Sequence, residues 1–224
     1  MRKFWGFYDN GTYRVGCSGA TIYLYDQSDR ELCKFRDIPY AYTGAFQPHT
    51  NRFAAKSTDG SLAFYDLDGR ALLKKITITR IGAQDEGFAF SPDGKLFYNI
   101  EKPSVSTRSQ LTLYDTATLT ALRTLFAGEE RVFLQYLEFG ADGICYVLGF
   151  IRNESGVLDH GFIAQLTDDA LTGIKSLPDE RYYYLWSYKT WQLSGFTEKK
   201  LEWLPIKLYA ERPQISLEEA YRQL

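Results

Sequence analysis

Two histidines, His49 and His160, are the only imidazoles in this 224-residue chain. His160 follows Asp159, an order in which a carboxylate could orient a general base, but neighbours on an extended chain point to opposite sides. No Gly-x-Ser-x-Gly turn supplies a nucleophile. Carboxylates occur in adjacent pairs at Asp85-Glu86, Glu129-Glu130 and Asp179-Glu180. Two carboxylates at a set separation are what glycoside hydrolysis requires, so these six are the candidates for hydrolase chemistry on sugars or lactones. A calcium-type site would need converging oxygen ligands, and no Asp-x-Asp-x-Asp run provides them. Cys17, Cys33 and Cys145 are odd in number and far apart. That is neither a disulfide framework nor a zinc site, and it fits a reducing cytoplasm. They read as small apolar strand residues. No cofactor is called for.

The elements that would position these groups repeat. A Phe precedes a turn at Phe7 (YDNG), Phe46 (QPHTN), Phe90 (SPDG) and Phe139 (GADG), at spacings of 39, 44 and 49 residues. In phase with it, an alternating strand ends in Tyr-Asp: ATIYLYD, SLAFYD and QLTLYD, degenerating to GFIAQLT in the fourth copy. A further strand follows each time: RELCKF, RALLKKITI, TALRTLF and LTGIKSL. Four antiparallel strands per unit make a propeller blade, and stacking such units buries faces that no unit buries alone. The expected fold is all-β: a propeller of four-stranded antiparallel blades with a short C-terminal helix. The expected blades are 1–37, 38–80, 81–128, 129–178 and, divergent and Trp-rich, 179–210, followed by a tail at 211–224. Five blades also follow from chain length at about 45 residues each.

The pattern Phe90-Ser91-Pro92-Asp93-Gly94-Lys95, then a strand ending in aromatic-Asp, resembles the WD-repeat and related bacterial propeller repeats. Tyr25-Asp26, Tyr65-Asp66 and Tyr114-Asp115 stand where that family has Trp-Asp. The family's Gly-His dipeptide is missing, so its Asp-His-Ser/Trp hydrogen-bond network is not expected. The resemblance spans roughly residues 1–177 and implies a fold rather than an activity, because propellers host scaffolds, binders and enzymes.

Composition removes some partners. Net charge is −2, and no run of Lys or Arg exceeds two residues. A phosphate backbone needs clustered positive charge, so nucleic acid is not expected. No stretch is long and apolar enough for a membrane span, and MRKFWGFYDNG has no secretion-signal core. The tail carries a capping box, Ser216-x-x-Glu219. Its apolar stripe, Leu217, Ala220, Tyr221 and Leu224, suits a helix docked on the propeller or presented to a partner.

Strand parity locates the functional end. The loop after the second strand of each blade shares one end with the inter-blade connections, and that end carries the long insertions Glu101–Ser109 and Ile151–Gly161. It also gathers the charged residues Asp37, Arg80, Asp85, Glu86, Glu129, Glu130, Arg131, Asp179, Glu180 and Arg181, with Arg152, Asp159 and His160. Long loops on a rigid scaffold are where function concentrates. The expectation is a non-enzymatic binding or scaffold propeller engaging a protein partner, or a small polar ligand, at this end. The alternatives are a small hydrolase with carboxylates at the channel mouth, and a regulatory subunit completed by a partner chain. Asp93, on the opposite end, is expected to be turn chemistry, and His49 is expected to lie away from His160.

Overall fold

A computed structural model describes residues 4–78, 87–103, 109–129, 131–155, 158–177 and 216–224. They form four four-stranded antiparallel sheets and one helix. Blade one holds β1 (Gly6–Asp9), β2 (Tyr13–Cys17), β3 (Ile22–Asp26) and β4 (Glu31–Phe35). Blade two holds β5 (Ala41–Phe46), β6 (Arg52–Ser57), β7 (Ser61–Asp66) and β8 (Ala71–Thr77). Blade three holds β9 (Phe88–Phe90), β10 (Leu96–Glu101), β11 (Gln110–Asp115) and β12 (Thr120–Leu125). Blade four holds β13 (Val132–Phe139), β14 (Cys145–Arg152), β15 (Leu158–Thr167) and β16 (Ala170–Ser176). The helix is α1 (Leu217–Gln223). The fifth blade expected at 179–210 lies outside the described residues.

Alternation along the middle strands builds the seams. Phe53 and Ala55 of β6, with Ala63 and Tyr65 of β7, pack against Val15, Cys17, Ile22 and Leu24 of blade one. The intervening Ala54, Leu62 and Phe64 pack against Phe90, Phe97 and Tyr114 of blade three. A strand with a blade on each side is therefore buried at both parities, as β7 is, whereas outer strands such as β12 are exposed. Blade three meets blade four through Ile100, Leu111 and Leu113 against Leu134, Val147 and Phe162. Near the axis the approach is backbone to backbone: a Cβ on Gly87 would stand 2.9 Å from Tyr136 Cα and 3.0 Å from Leu137 N.

The Tyr-Asp signature has two separate jobs. Its Tyr points back into the seam with the preceding blade at Tyr65 and Tyr114. Its Asp caps the next turn: Asp26 Oδ1 accepts from the Ser28 and Arg30 N–H groups, and Asp115 Oδ1 from the Thr118 N–H. Asp93 likewise accepts from Ser91 Oγ and the Lys95 N–H, so it is turn chemistry as its type and spacing predicted. Cys17 and Cys145 are buried strand residues whose thiols burial pushes up to about 12.

The turn carboxylates set an acid limit. The Gly11 N–H, then Arg14 and Gln27, hold Asp9 at about 2, and the Ser28 hydroxyl is the leading cause holding Asp26 at about 2. A carboxylate whose folded value lies below its unfolded value of about 3.9 stabilises fully above that pH, and the stabilisation disappears as pH falls through the folded value. The thermal midpoint is therefore expected to fall between about pH 4 and about pH 2. The Asp9→Asn/Asp26→Asn double variant should have a lower midpoint at pH 7 and a shallower decline, read by circular dichroism melts.

The helix α1 docks on blade four, the docked alternative of the sequence reading. Ser216 Oγ accepts from the Glu219 N–H at 3.1 Å, one half of the expected capping box, while the Glu219 carboxylate accepts from Gln223 Nε2 rather than from the Ser216 N–H. Leu217, Ala220 and Tyr221 pack on Tyr146, Leu148, Phe150 and Ile163. Leu224, the fourth residue of the stripe, is exposed instead, because the helix ends at Gln223. Glu218 is buried where the stripe predicted a polar side: its carboxylate accepts from the Ala141 N–H at 2.7 Å and pairs with Arg222. Leu177 leaves blade four at the insertion-bearing end, bonded to Gly161, while α1 starts at the turn end against Glu138 and Ala141.

Candidate functional site

The two ends of the blades are built differently. At the turn end, neighbouring blades are cross-linked: Asn10 Nδ2 donates to Asn51 Oδ1, Gln47 Nε2 to Gly94 O, and the Arg52 guanidinium to Thr116 O. The other end carries the inter-blade connections and the insertions.

Five sequence-predicted site residues have described side chains, all at that second end. Arg131 and Arg152 are brought together: the Arg152 N–H donates to Arg131 O at 2.8 Å, and Arg131 Nε donates to Arg152 O at 3.2 Å. The Arg152 guanidinium and Lys102 Nζ lie 5.4 and 4.9 Å from the centre of the Phe133 ring, a cation–π arrangement. His160 pairs with Ile151 across β14 and β15, one residue before Arg152. Glu129 is exposed on the connection into β13. Asp37 lies at the same end on the connection from blade one to blade two, where its carbonyl accepts from Lys75 Nζ at 2.8 Å. Arg80, Asp85, Glu86, Glu130, Asp179, Glu180 and Arg181 lie outside the described residues, as does the Asp159 side chain. His49 sits in the β5–β6 turn at the opposite end, so the two histidines do not meet.

The feature that charge patterning did not pick out is aromatic. The connection 36–40 is fixed along its length. Ile38 is buried, Ser57 Oγ donates to Pro39 O, the Thr58 N–H donates to Tyr40 O, and Ala41 bridges Gly19. Gly19 has φ +89° and no Cβ, so the Tyr42 ring lies directly on it. Trp5 stacks edge-on against Tyr42, ring centres 5.5 Å apart. Beside them Tyr40 is held at φ +53°, a conformation costly for a bulky side chain. Trp5 and Tyr40 nevertheless present 49% and 56% of their surface to solvent. The sequence signal was available in the Pro39-Tyr40 step, with a Trp just ahead of the first strand.

A second feature is internal. Glu101, read in sequence as the first residue of an insertion, is the last residue of β10 and is 4% exposed. Its carboxylate accepts from Tyr114 Oη at 2.5 Å, Thr112 Oγ1 at 2.7 Å, Asn99 Nδ2 at 2.9 Å and Gln110 Nε2 at 3.4 Å. Burial and then the Glu101 charge drive the Tyr114 phenol well above its usual range. Lys56, also buried, reaches across the seam to Ile100 O at 2.6 Å. This network pins blade three internally where the WD-type network was not expected, using Tyr114 of the Tyr-Asp pair. The equivalent Tyr65 hydroxyl in blade two is buried and faces the Asp37 carboxylate, outside good hydrogen-bond geometry. Tyr114→Phe is therefore expected to cost about 1.5–3 kcal/mol, and Tyr65→Phe less than about 0.5 kcal/mol or to stabilise, in urea unfolding.

Among the described residues no three His, Cys, Asp or Glu side chains converge as metal ligands, and no helix is long and apolar enough to cross a membrane. No family model and no curated protein matches the chain. Solved structures do match, 934 chains in all. One is a chain of the Kuenenia stuttgartiensis hydrazine synthase, at TM-score 0.58 and 14% identity. The match covers 75% of this chain and 47% of that one, so this chain spans about half the length of its structural neighbour. At such identity the likeness is one of fold, and the fold is a β-propeller type built of four-stranded antiparallel sheets.

Proposed function

We propose that this chain is a binding propeller that engages a protein partner through its insertion-bearing end, with Trp5, Tyr40 and Tyr42 as the anchor. The observation that carries the reading is the exposed, rigidly held aromatic platform. Trp and Tyr dominate interface hot spots because they bury much area at little entropic cost. Arg36 and Asp37 supply a mixed-charge rim, the usual surround of such a core. The left-handed backbone of Tyr40 is held by the Thr58 N–H on its carbonyl and by the Ala41–Gly19 bridge next to it, so the ring is presented from a fixed main chain.

We read the repeat as WD-repeat-like and the ring as five-bladed, with 179–210 as the fifth blade. Supporting this, Phe4, Phe7, Tyr23 and Tyr25 form an aromatic cluster on the side of blade one away from blade two.

The test is site-specific photo-crosslinking in cells, with benzophenone at position 40 and, as control, at position 118 on the turn end. Defined adducts from position 40 alone support the reading. Adducts from position 118 alone, or from neither, overturn it. Tyr40→Gly separates binding from folding. Glycine accepts the left-handed backbone, so stability should change by less than about 1 kcal/mol while the interaction of the identified partner is lost.

A further inference from the structure

The turn end, away from the proposed protein-binding platform, carries a cleft of about 580 Å³ over the seam between blades one and two. Its polar wall is one continuous chain of side chains from both blades. Asn10 Nδ2 donates to Asn51 Oδ1 at 3.1 Å, and Asn51 Nδ2 donates to both Asp68 oxygens at 3.1 and 3.2 Å. Tyr13 Oη donates to Asp68 Oδ1 at 3.0 Å. Asn10 Oδ1 is itself held by the Thr12 and Tyr13 N–H groups. Each planar group is thus fixed in orientation before any ligand arrives, which lowers the entropic cost of binding.

The capacity left over is mixed. Asn10 retains a second N–H, and Asp68 retains acceptor sites on Oδ2. His49 and Asp66 line the cleft with no side-chain hydrogen bond to a described residue. His49 is held at φ +61°, another non-glycine residue in the left-handed region. Phe46 lines the same space and packs edge-on against Phe53, adding an apolar wall. Arg52 spends a guanidinium N–H on Thr116 O, at 3.2 Å.

The donor and acceptor pattern decides the ligand class. Two carboxylates disfavour an anion. Donors and acceptors set side by side match hydroxyl groups, each of which both gives and takes a hydrogen bond. An apolar wall beside fixed polar groups suits the C–H face of a sugar ring. We propose that this cleft is a binding site for a small polyhydroxylated ligand, a saccharide, held by the Asn10–Asn51–Asp68 chain with His49 and Asp66 at its margin.

The test is titration of 15N-labelled protein with cellobiose, myo-inositol and glucosamine, with ethylamine as a charge-only control. Saturable shifts of the Asn10 and Asn51 side-chain amides and of the Gly11 and His49 backbone amides are expected with a neutral saccharide, at a Kd of roughly 0.1–10 mM. Asp68→Ala should weaken binding at least about tenfold. His49→Gly, which suits the backbone there and should fold normally, should weaken it too. The proposal is overturned if no neutral saccharide shifts these amides saturably. It is also overturned if ethylamine binds as well as glucosamine while cellobiose and inositol do not, or if binding survives both variants with unchanged melting curves.

Discussion

Glu101→Leu is expected to destabilise the protein by about 3–5 kcal/mol, a large effect for one residue. The physical reason is the number of groups that depend on one carboxylate. Asn99, Thr112 and Tyr114 are buried donors, and Gln110 joins them; all aim at the two Glu101 oxygens. Leucine fills the space but leaves those donors unmet in a region water does not reach, and each buried unmet group costs about 1–3 kcal/mol. Some relaxation will recover part of that sum. Glu101→Gln keeps the shape and one acceptor, so its loss should be smaller, about 1–3 kcal/mol. Urea midpoints at constant slope measure both. Hydrogen exchange should place the lost protection in β10 and β11 first, since blades interact only with their neighbours. A Glu101→Leu loss below about 1 kcal/mol would show that the network is not holding the blade.

Leu217→Ala is the second large effect, about 2–4 kcal/mol. Leu217 is fully buried against blade four, and the seven-residue α1 has no stability of its own at that length. Its hold depends on Leu217, Ala220 and Tyr221, aided by Glu138 at the Leu217 N–H and by Lys175 on the Tyr221 carbonyl and ring. Truncation before Ser216 removes the whole cover and exposes Tyr146 and Ile163 to water. The truncated protein is expected to bind ANS and to self-associate in light scattering, because an apolar sheet face is a ready template for association. Truncated protein that stays monomeric and dark to ANS would show that α1 is dispensable. Conversely, the conservative Leu217→Met should cost under about 1.5 kcal/mol, separating packing from helix propensity.

Much of the fold was legible because its signals are local. Turn residues such as Pro92, Asp93 and Gly94 act on their own backbone, and the period-two alternation of Leu62, Phe64, Leu111 and Leu113 needs only the pleat. The capping contact of Ser216 is equally local. Glu101 was misread as a loop residue because strand ends are set by the partner strand: β10 runs on to pair Glu101 with Gln110. Once that register is known, the shared parity of Phe97, Asn99 and Glu101 puts the carboxylate in the seam. Leu224 was placed on the buried stripe for a similar reason, since periodicity cannot say where the helix stops.

The candidate sites divide along the same line. Strand parity placed Arg131 and Arg152 at the insertion-bearing end but could not say that Arg131 bonds the Arg152 carbonyl, or that the Arg152 guanidinium and Lys102 meet over Phe133. The platform of Trp5, Tyr40 and Tyr42 joins residues from before β1 and from the blade-one to blade-two connection. The cleft joins Asn10 to Asn51 and Asp68, from turns in two blades. By itself the sequence determined the blade unit, its turns, the order of the blades along the chain and the end at which each loop emerges, because repeat spacing and strand parity are properties of a single chain segment. Only the tertiary structure decided which side chains meet across a seam, because that depends on the stagger of one blade against the next.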